Sequence, residues 1–510
     1  MMKAKSYSKM HNVEEQKLSN SILSSFLNTK KTKKGLMSSN KFKQNNVKQN
    51  LPKEFLNKLT NLYNQGDFLT VVKLGQSIVK QYPNEFIIWN IIGISLAQLE
   101  LFEEAIIYLN KSIHLKVNYA DAYNNIGNIL EKQGKLEQAI DFYKKAIKYK
   151  PDNFITHYNL GNIFKDQDKL VDAIKSYKKA ILYKPNYAEA HHNLSIALLN
   201  NGMFKEGFDE NKWRWKTPKF LSLQRHFKKP LWDGKQSLVG KKILVWCEQG
   251  IGDTVMWSST LSLLASLSDE CVLECPEKIV PLLKRSFPKI KIKPENRDLD
   301  LERNDFDYHL PMGDLFKHFI SEIPKSISKN PFLVPDKDRV NFWRRRLKSL
   351  GKGPYVGLSW KSRDMSSSRF QNYANISELS PIFTVPEITF LNLQYVDFTD
   401  DLIKVEKDFG VKIHNFNDLD HFNNIDDVAA LSICLDMVIS TQGLVPIISA
   451  AVGTLTKLAS WKQSPWNNIL HKPVGPLVDK FERNTSESWE KVFNLIAKDI
   501  LNFKKEWISK

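Results

Sequence analysis

A chain of 510 residues is too long for one hydrophobic core, so two or three domains are expected. Hydrophobic residues at 42% and aromatics at 11% suffice for globular folding, and the lack of any run of about 18 apolar residues argues against a helical membrane span. The net charge is +18, and residues 1–50, with eleven Lys and two acids, supply half of it. That first segment is rich in Lys, Asn and Ser with little hydrophobic periodicity, and is expected to be a disordered basic tail. Its few aromatics do not interleave with the charges in a binding pattern, so a solvated tail is favoured over a basic arm for acidic partners or a membrane surface, and nucleic-acid binding is not expected. The N-terminus lacks the apolar core of a secretory signal. Cys247, Cys271, Cys275 and Cys434 lack the His partners of a zinc site and read as reduced core residues, which fits a cytoplasmic protein.

From residue 52 the sequence repeats with a period of 34. Pro83, Val117, Pro151 and Pro185 keep this interval, as do Trp89, Tyr123, His157 and His191. Gly93, Gly127, Gly161 and Ser195 keep it too, as do Ala105, Ala139 and Ala173, with Leu109, Tyr143 and Tyr177 four residues further on. The pattern resembles the tetratricopeptide repeat, two helices per unit. Small residues let the helices approach, large ones fill the gap to the next unit, and Pro ends the second helix. Units are expected at 86–119, 120–153 and 154–187, with a weaker one at 52–85 and a last one from 188 that departs after Gly202. Phe204, Phe208, Trp213 and Trp215 read as a capping helix that buries the last repeat, closing an array over 52–216. Such solenoids present a surface for protein partners. Pro218, Pro230 and the turn Trp232-Asp233-Gly234 mark a linker over 217–240.

A buried parallel strand is predicted at Ile243–Cys247. It runs into Glu248-Gln249-Gly250-Ile251-Gly252-Asp253-Thr254 and then a helix. Strand, glycine loop and helix make a natural anion-binding site, because glycine admits a ligand to the backbone and the helix N-terminus favours negative charge. Val255 stands at the last glycine of a dinucleotide fingerprint and no Walker lysine follows, so an NAD or P-loop site is not expected. Asp253 is either the helix N-cap or a general base at the sheet edge. Further strands are expected at 270–274, 289–292 and 305–311. The first α/β lobe is assigned to 241–335, and a segment containing a basic helix over 340–350 to 336–354.

A second α/β lobe is expected over 355–510. Tyr355–Trp360 is a strand ending in Lys361-Ser362-Arg363, and Thr389–Gln394 one ending at Tyr395. Leu435–Ser440 ends in Thr441-Gln442-Gly443, with a short helix at 447–452, and Lys457–Trp461 is a fourth strand. Polar clusters at strand ends in two successive halves suggest facing lobes with a cleft between them. Asp298-x-Asp300 is a weak acidic pair in a charged loop, and no metal site is assigned. Residues 486–503 read as a terminal amphipathic helix.

Trp232-Asp233-Gly234, Gly240-Lys241-Lys242 and the Glu248–Thr254 loop, downstream of the repeats, resemble bacterial tetratricopeptide-repeat proteins carrying a heptosyltransferase-like domain of glycosyltransferase family 9. The resemblance implies an α + α/β chain whose second part has the two-lobed GT-B fold. It implies inverting, metal-independent and cofactor-free transfer from a nucleotide-sugar donor to a glycan or protein acceptor, with the repeats holding acceptor or partner. By that resemblance Asp253 matches the base and Lys361 the donor-phosphate lysine. Arg363, Gly250, Gly252, Gln442 and Gly443 would stand around the phosphates, and Tyr395, Trp461, Trp466 and Asn467 would wall the donor site, unless the tryptophans are simply core. The sequence departs from the family where an Asp and a His are usual: Gln442 and Ile447 stand there. The alternative is a non-catalytic protein-interaction scaffold with a degenerate transferase domain.

Overall fold

A computed structural model describes residues 51–297, 300–319, 331–362, 372–396, 398–461, 477–484 and 487–508. The basic tail, the Asp298 pair, Arg363, Trp466 and Asn467 lie outside these residues or lack a described side chain. The chain divides into two compact units, 1–159 and 160–510.

The repeats are antiparallel helix pairs. The first unit contains α1 (Lys53–Asn64) with α2 (Phe68–Gln81), α3 (Phe86–Gln98) with α4 (Phe102–Leu115), and α5 (Ala120–Lys132) with α6 (Leu136–Tyr149). α7 (Phe154–Asp166) crosses the division, and α8 (Leu170–Tyr183), α9 (Ala188–Asn200) and α10 (Phe204–Asn211) belong to the second unit. The sequence period is a contact period. A Cβ at Gly127 would stand 2.5 Å from the Tyr143 ring, one at Gly161 2.6 Å from the Tyr177 ring, and one at Gly93 2.6 Å from Leu109. The turn inside each pair needs a left-handed residue, at Gly66, Glu100, Gly134, Asp168 and Gly202, again 34 apart. In three of the repeats the large residue near the start of the first helix has the same task. Trp89 Nε1, His157 Nε2 and His191 Nε2 donate to the carbonyls of Pro83, Pro151 and Pro185 at 2.9, 2.8 and 2.9 Å.

The expected cap is a joint rather than an end. Trp213 stacks on His191 of the last repeat, with ring centroids 3.9 Å apart and planes 4° from parallel. Phe208, by contrast, enters the core of the α/β region, and Trp215 packs on Trp246 at 5.5 Å. Nor is 217–240 a free connection. Phe220, Trp232 and Leu238 are buried, and the Trp232 amide donates to the His309 carbonyl at 2.9 Å. Pro and Gly punctuation reads as linker in sequence because the buried aromatics between them follow neither helical nor strand period.

Two parallel sheets follow. The first contains β1 (Lys242–Trp246), β2 (Glu270–Cys275), β3 (Lys291–Pro294) and β4 (Tyr308–Pro311) in the order β3-β2-β1-β4. The second contains β5 (Tyr355–Ser359), β6 (Thr389–Asn392), β7 (Ile413–His414), β8 (Met437–Ser440), β9 (Thr456–Trp461) and β10 (Val478–Arg483) in the order β10-β9-β8-β5-β6-β7. The central strands β1, β5 and β8 are largely apolar and buried because helices cover both faces of the sheets. α11 (Ile251–Ser258), α12 (Leu261–Leu267) and α13 (Val280–Ser286) accompany the first sheet. α14 (Lys337–Lys348), α15 (Thr399–Phe409), α16 (Ile425–Ser432), α17 (Leu444–Ala451) and α18 (Trp489–Ile508) accompany the second. The buried face of α18, Trp489, Val492, Phe493, Ile496 and Ile500, joins the core of the second sheet. The short β7 and the charged β10 escape sequence reading: two residues carry no period, and Asp479, Lys480 and Glu482 hide a strand. No helix among the described residues is long and apolar enough to cross a membrane.

Candidate functional site

In an open parallel sheet, ligands bind beyond the carboxyl ends of the strands where the winding direction reverses. The reversals fall between β1 and β4 in the first sheet and between β5 and β8 in the second. The loops leaving those strands contain Gly250–Asp253 after β1, Met312–Asp314 after β4, Lys361–Ser362 after β5 and Gln442–Gly443 after β8.

The two glycine loops meet. A Cβ at Gly252 would lie 3.4 Å from Ile447 Cδ1 and 3.9 Å from Leu444 Cα, so the N-terminal turns of α11 and α17 abut. Gly250 is the N-cap of α11, and Asp253 is the acidic residue of its first turn rather than the cap. Gly443, N-cap of α17, has φ +154° and ψ −161°, a conformation essentially confined to glycine. Ile447, standing where the resembled family has His, is buried in this apolar approach. Both helices are eight residues long, and each leaves its first-turn amides without intrahelical acceptors.

Glu248, beneath the first loop, is fully buried. Its Oε1 accepts from the Gly313 amide at 3.0 Å and from Arg214 Nη2 at 3.2 Å. Arg214 belongs to the joint after the last repeat, and its Nη1 also reaches Asp314 at 2.7 Å. Burial, the largest effect, pushes the Glu248 carboxyl up to about 7, against the pull of Arg214. Sequence reading missed Arg214 because an arginine between two tryptophans looks like a solvated cap residue.

In the second sheet a buried carboxamide sets the loop after β5. Gln394 Oε1 accepts from Ser359 Oγ, the Trp360 amide and the Lys361 amide at 3.2, 3.1 and 3.1 Å, and its Nε2 donates to the Lys361 carbonyl at 2.8 Å. Lys361 Nζ pairs with Asp401 in the first turn of α15 at 2.7 Å, and Trp360 Nε1 donates to the same carboxylate at 2.8 Å. The lysine expected on donor phosphate thus has a carboxylate partner that an incoming anion must displace or share. Tyr395 shares a 2.7 Å hydrogen bond with Ser362 and stacks near Phe422. Trp461 ends β9, in register with Arg483 of β10. Gln394 and Asp401 were not singled out in sequence; the one available signal was a Gln ending an apolar strand.

Further contacts join the two sheets' surroundings. Lys278 Nζ donates to the Phe422 carbonyl at 3.0 Å, Arg285 pairs with Asp426, and the Phe332 and Leu333 amides both donate to the Ala451 carbonyl at 3.0 Å. Cys247, Cys271 and Cys275 are buried free thiols whose burial raises their pKa, so they are poor nucleophiles and ligands. No His/Cys/Asp/Glu group suited to a metal occurs among the described residues.

A family model described as "TPR repeat" matches residues 127–168 and 161–202. Protein FlbA of Caulobacter vibrioides is 30% identical over 291 residues, 53% of this chain and 48% of that protein. The chain thus spans about half the length of this curated relative. Among solved structures, a crystal structure of MamA is 23% identical, covering 31% of this chain and 92% of its own, with a TM-score of 0.28. MamA from Desulfovibrio magneticus RS-1 is 19% identical, covering 32% of this chain and 92% of its own, with a TM-score of 0.29. The chain is therefore similar to these proteins in part, and residues 127–202 are tetratricopeptide repeats joined to a parallel-sheet α/β region.

Proposed function

We propose that the α/β region is a GT-B-like glycosyltransferase domain that takes a sugar from a nucleotide-sugar, and that the repeats hold the protein partner or acceptor. The observation that carries this reading is the approach of Gly252 to Leu444 and Ile447, which sets two glycine loops and two helix N-termini against each other at the sheets' switch points. Backbone amides there suit the diphosphate of a donor. Asp253, half-buried in the first turn of α11, would take the proton of an acceptor hydroxyl as it attacks the anomeric carbon. The diphosphate leaves with the bonding pair, its charge met by the α17 amides and Lys361. On the repeats, side-chain amides recur at the period: Asn125 donates to Asn90 at 3.0 Å and Asn159 to Asn124 at 3.2 Å in one unit, and Asn193 to Asn162 at 2.9 Å in the other. A ladder of carboxamides suits an extended polypeptide backbone, whose donors and acceptors alternate.

A melting-temperature screen of nucleoside diphosphates against the full chain tests the donor site. One of them is expected to raise the midpoint by several degrees, following the free energy of binding. Asp253→Asn should keep that shift and abolish transfer, whereas wild-type turnover in this variant would remove Asp253 as base. The second reading, an interaction scaffold, is favoured by one observation: Ile447 turns the position of a family histidine into interlobe packing. It predicts no response to any diphosphate.

A further inference from the structure

The joint between the last repeat and the first sheet is one-sided in charge. From Asn211 to Trp232 the chain has seven Lys and Arg residues and neither Asp nor Glu. The two arginines are neutralised inside the fold: Arg214 pairs with Glu248 and Asp314, and Arg225 with the buried Glu274. The five lysines, Lys212, Lys216, Lys219, Lys228 and Lys229, pair with no carboxylate among the described residues. Lys229 is half-buried and the other four are exposed. The acids just upstream are taken, Glu210 by His191 and Asp209 by Lys317 at 3.7 Å.

Two of these lysines stand against the last repeat. Lys216 Nζ lies 3.9 Å from the centroid of Trp213, whose ring stacks on His191. Lys219 Nζ lies 5.7 Å from that of Phe220, which meets His192 edge-on at 5.5 Å. His192 senses the charge there. Burial first, then Arg214, Lys219 and Lys165 of α7, lower its imidazole to about 4. Lys165 has Asp166 beside it at 3.5 Å, a surface pair of little strength. Asn193, next to His192, donates to Asn162 at 2.9 Å, so a carboxamide pair suited to a polypeptide backbone adjoins these cations. The aromatics interleaved with the lysines are engaged within the fold. Trp213 carries His191, Trp215 carries Arg214 at 4.5 Å and Trp246 at 5.5 Å, Phe220 is buried, and Phe227 carries Arg225 at 4.9 Å. They do not form the stacking platform that single-stranded nucleic acid uses.

We propose that this joint, together with Lys165 of α7, is a docking strip for an acidic segment of a protein partner. The carboxamide pair takes the partner's backbone, and the lysines take its Asp and Glu side chains. The inference deepens the reading of the repeats as holders of a protein partner, on which it rests, and does not need the transferase reading.

The test uses the full chain and fluorescence anisotropy at low salt, where the screening length is about 10 Å or more. The probes are a labelled Glu-Ser repeat peptide, its Gln-Ser counterpart, and a single-stranded oligonucleotide of equal charge. The Glu peptide is expected to bind about tenfold tighter than the Gln peptide. Because the Lys-rich residues 1–50 also attract anions, the deciding variant is Lys216→Glu with Lys219→Glu. It should weaken the Glu peptide about tenfold or more, with a melting midpoint within about 3 °C of the parent as proof of folding. If charge reversal unfolds the joint, Lys216→Gln with Lys219→Gln, which only removes charge, decides in its place. Undetectable binding of the Glu peptide overturns the proposal, and so does unchanged affinity in the folded variant. Tighter binding of the oligonucleotide, lost in the same variant, overturns it in favour of nucleic acid. Equal binding of the Glu and Gln peptides overturns it too, but leaves the repeats as holders of a polypeptide, so the two failures are distinct.

Discussion

His421 illustrates how far burial alone changes one side chain. Its burial lowers the imidazole to about 4, with Asp420 pulling weakly the other way. The folded value lies below the ordinary 6.5, so the folded state resists protonation. That stability is fully present above pH 6.5 and is lost as pH falls toward 4. The loss is up to about 3 kcal/mol by the usual conversion of a pKa difference. His421→Phe should therefore unfold at a denaturant midpoint less sensitive to pH between 7 and 4.5 than the parent, and identical slopes would place a charged imidazole in the fold. Glu100 and Asp168 make a second point at this scale. Both occupy left-handed backbone, φ 59° and 61°, at the repeat position where Gly66, Gly134 and Gly202 stand. The sequence marks three of these turns by glycine, and only their shared spacing reveals the other two.

Between helices, the consequence of the repeat is a reversal of ordinary propensity. Ala stabilises a helix interior by about 1 kcal/mol over Gly. At Gly127 the added methyl would stand 2.5 Å from Tyr143 Cε1. The ring cannot swing away freely, because the Tyr143 hydroxyl is held 2.7 Å from both Asn128 Oδ1 and Glu131 Oε2, which share its one proton. Gly127→Ala is therefore expected to destabilise, by about 1–3 kcal/mol, in urea unfolding followed by circular dichroism. A gain in stability would mean that the tyrosine adapts without cost. The spacing of Gly127 and Tyr143 was legible because contact and sequence share one period. β7 and β10 were not, because their pairing depends on neighbours far along the chain.

Across the second unit, Arg214 ties the end of the repeats to the candidate site. It is 1% exposed and lies between Glu248, below the glycine loop, and Asp314, after β4. A buried pair adds little over an apolar replacement, but breaking it strands its partners. Arg214→Met should cost about 3–5 kcal/mol, and Arg214→Met with Glu248→Gln should recover part of that loss, both read from equilibrium unfolding. Equal losses would show that the guanidinium acts by packing on Trp215 instead, which it also contacts at 4.5 Å.

The sequence by itself determined the repeat units, the start of the α/β region, and the strand–glycine–helix signal at Gly250–Asp253, because each is written within about 34 consecutive residues. It also named Lys361 and Gly443, since strand ends can be read from local hydrophobicity. Only the tertiary structure decided what those residues meet. Lys361 faces Asp401, 40 residues away, Gly252 faces Ile447 across nearly 200 residues, and Arg214 reaches back into the first sheet. Local periodicity fixes elements because backbone geometry is local, whereas a site forms from side chains that packing alone brings together.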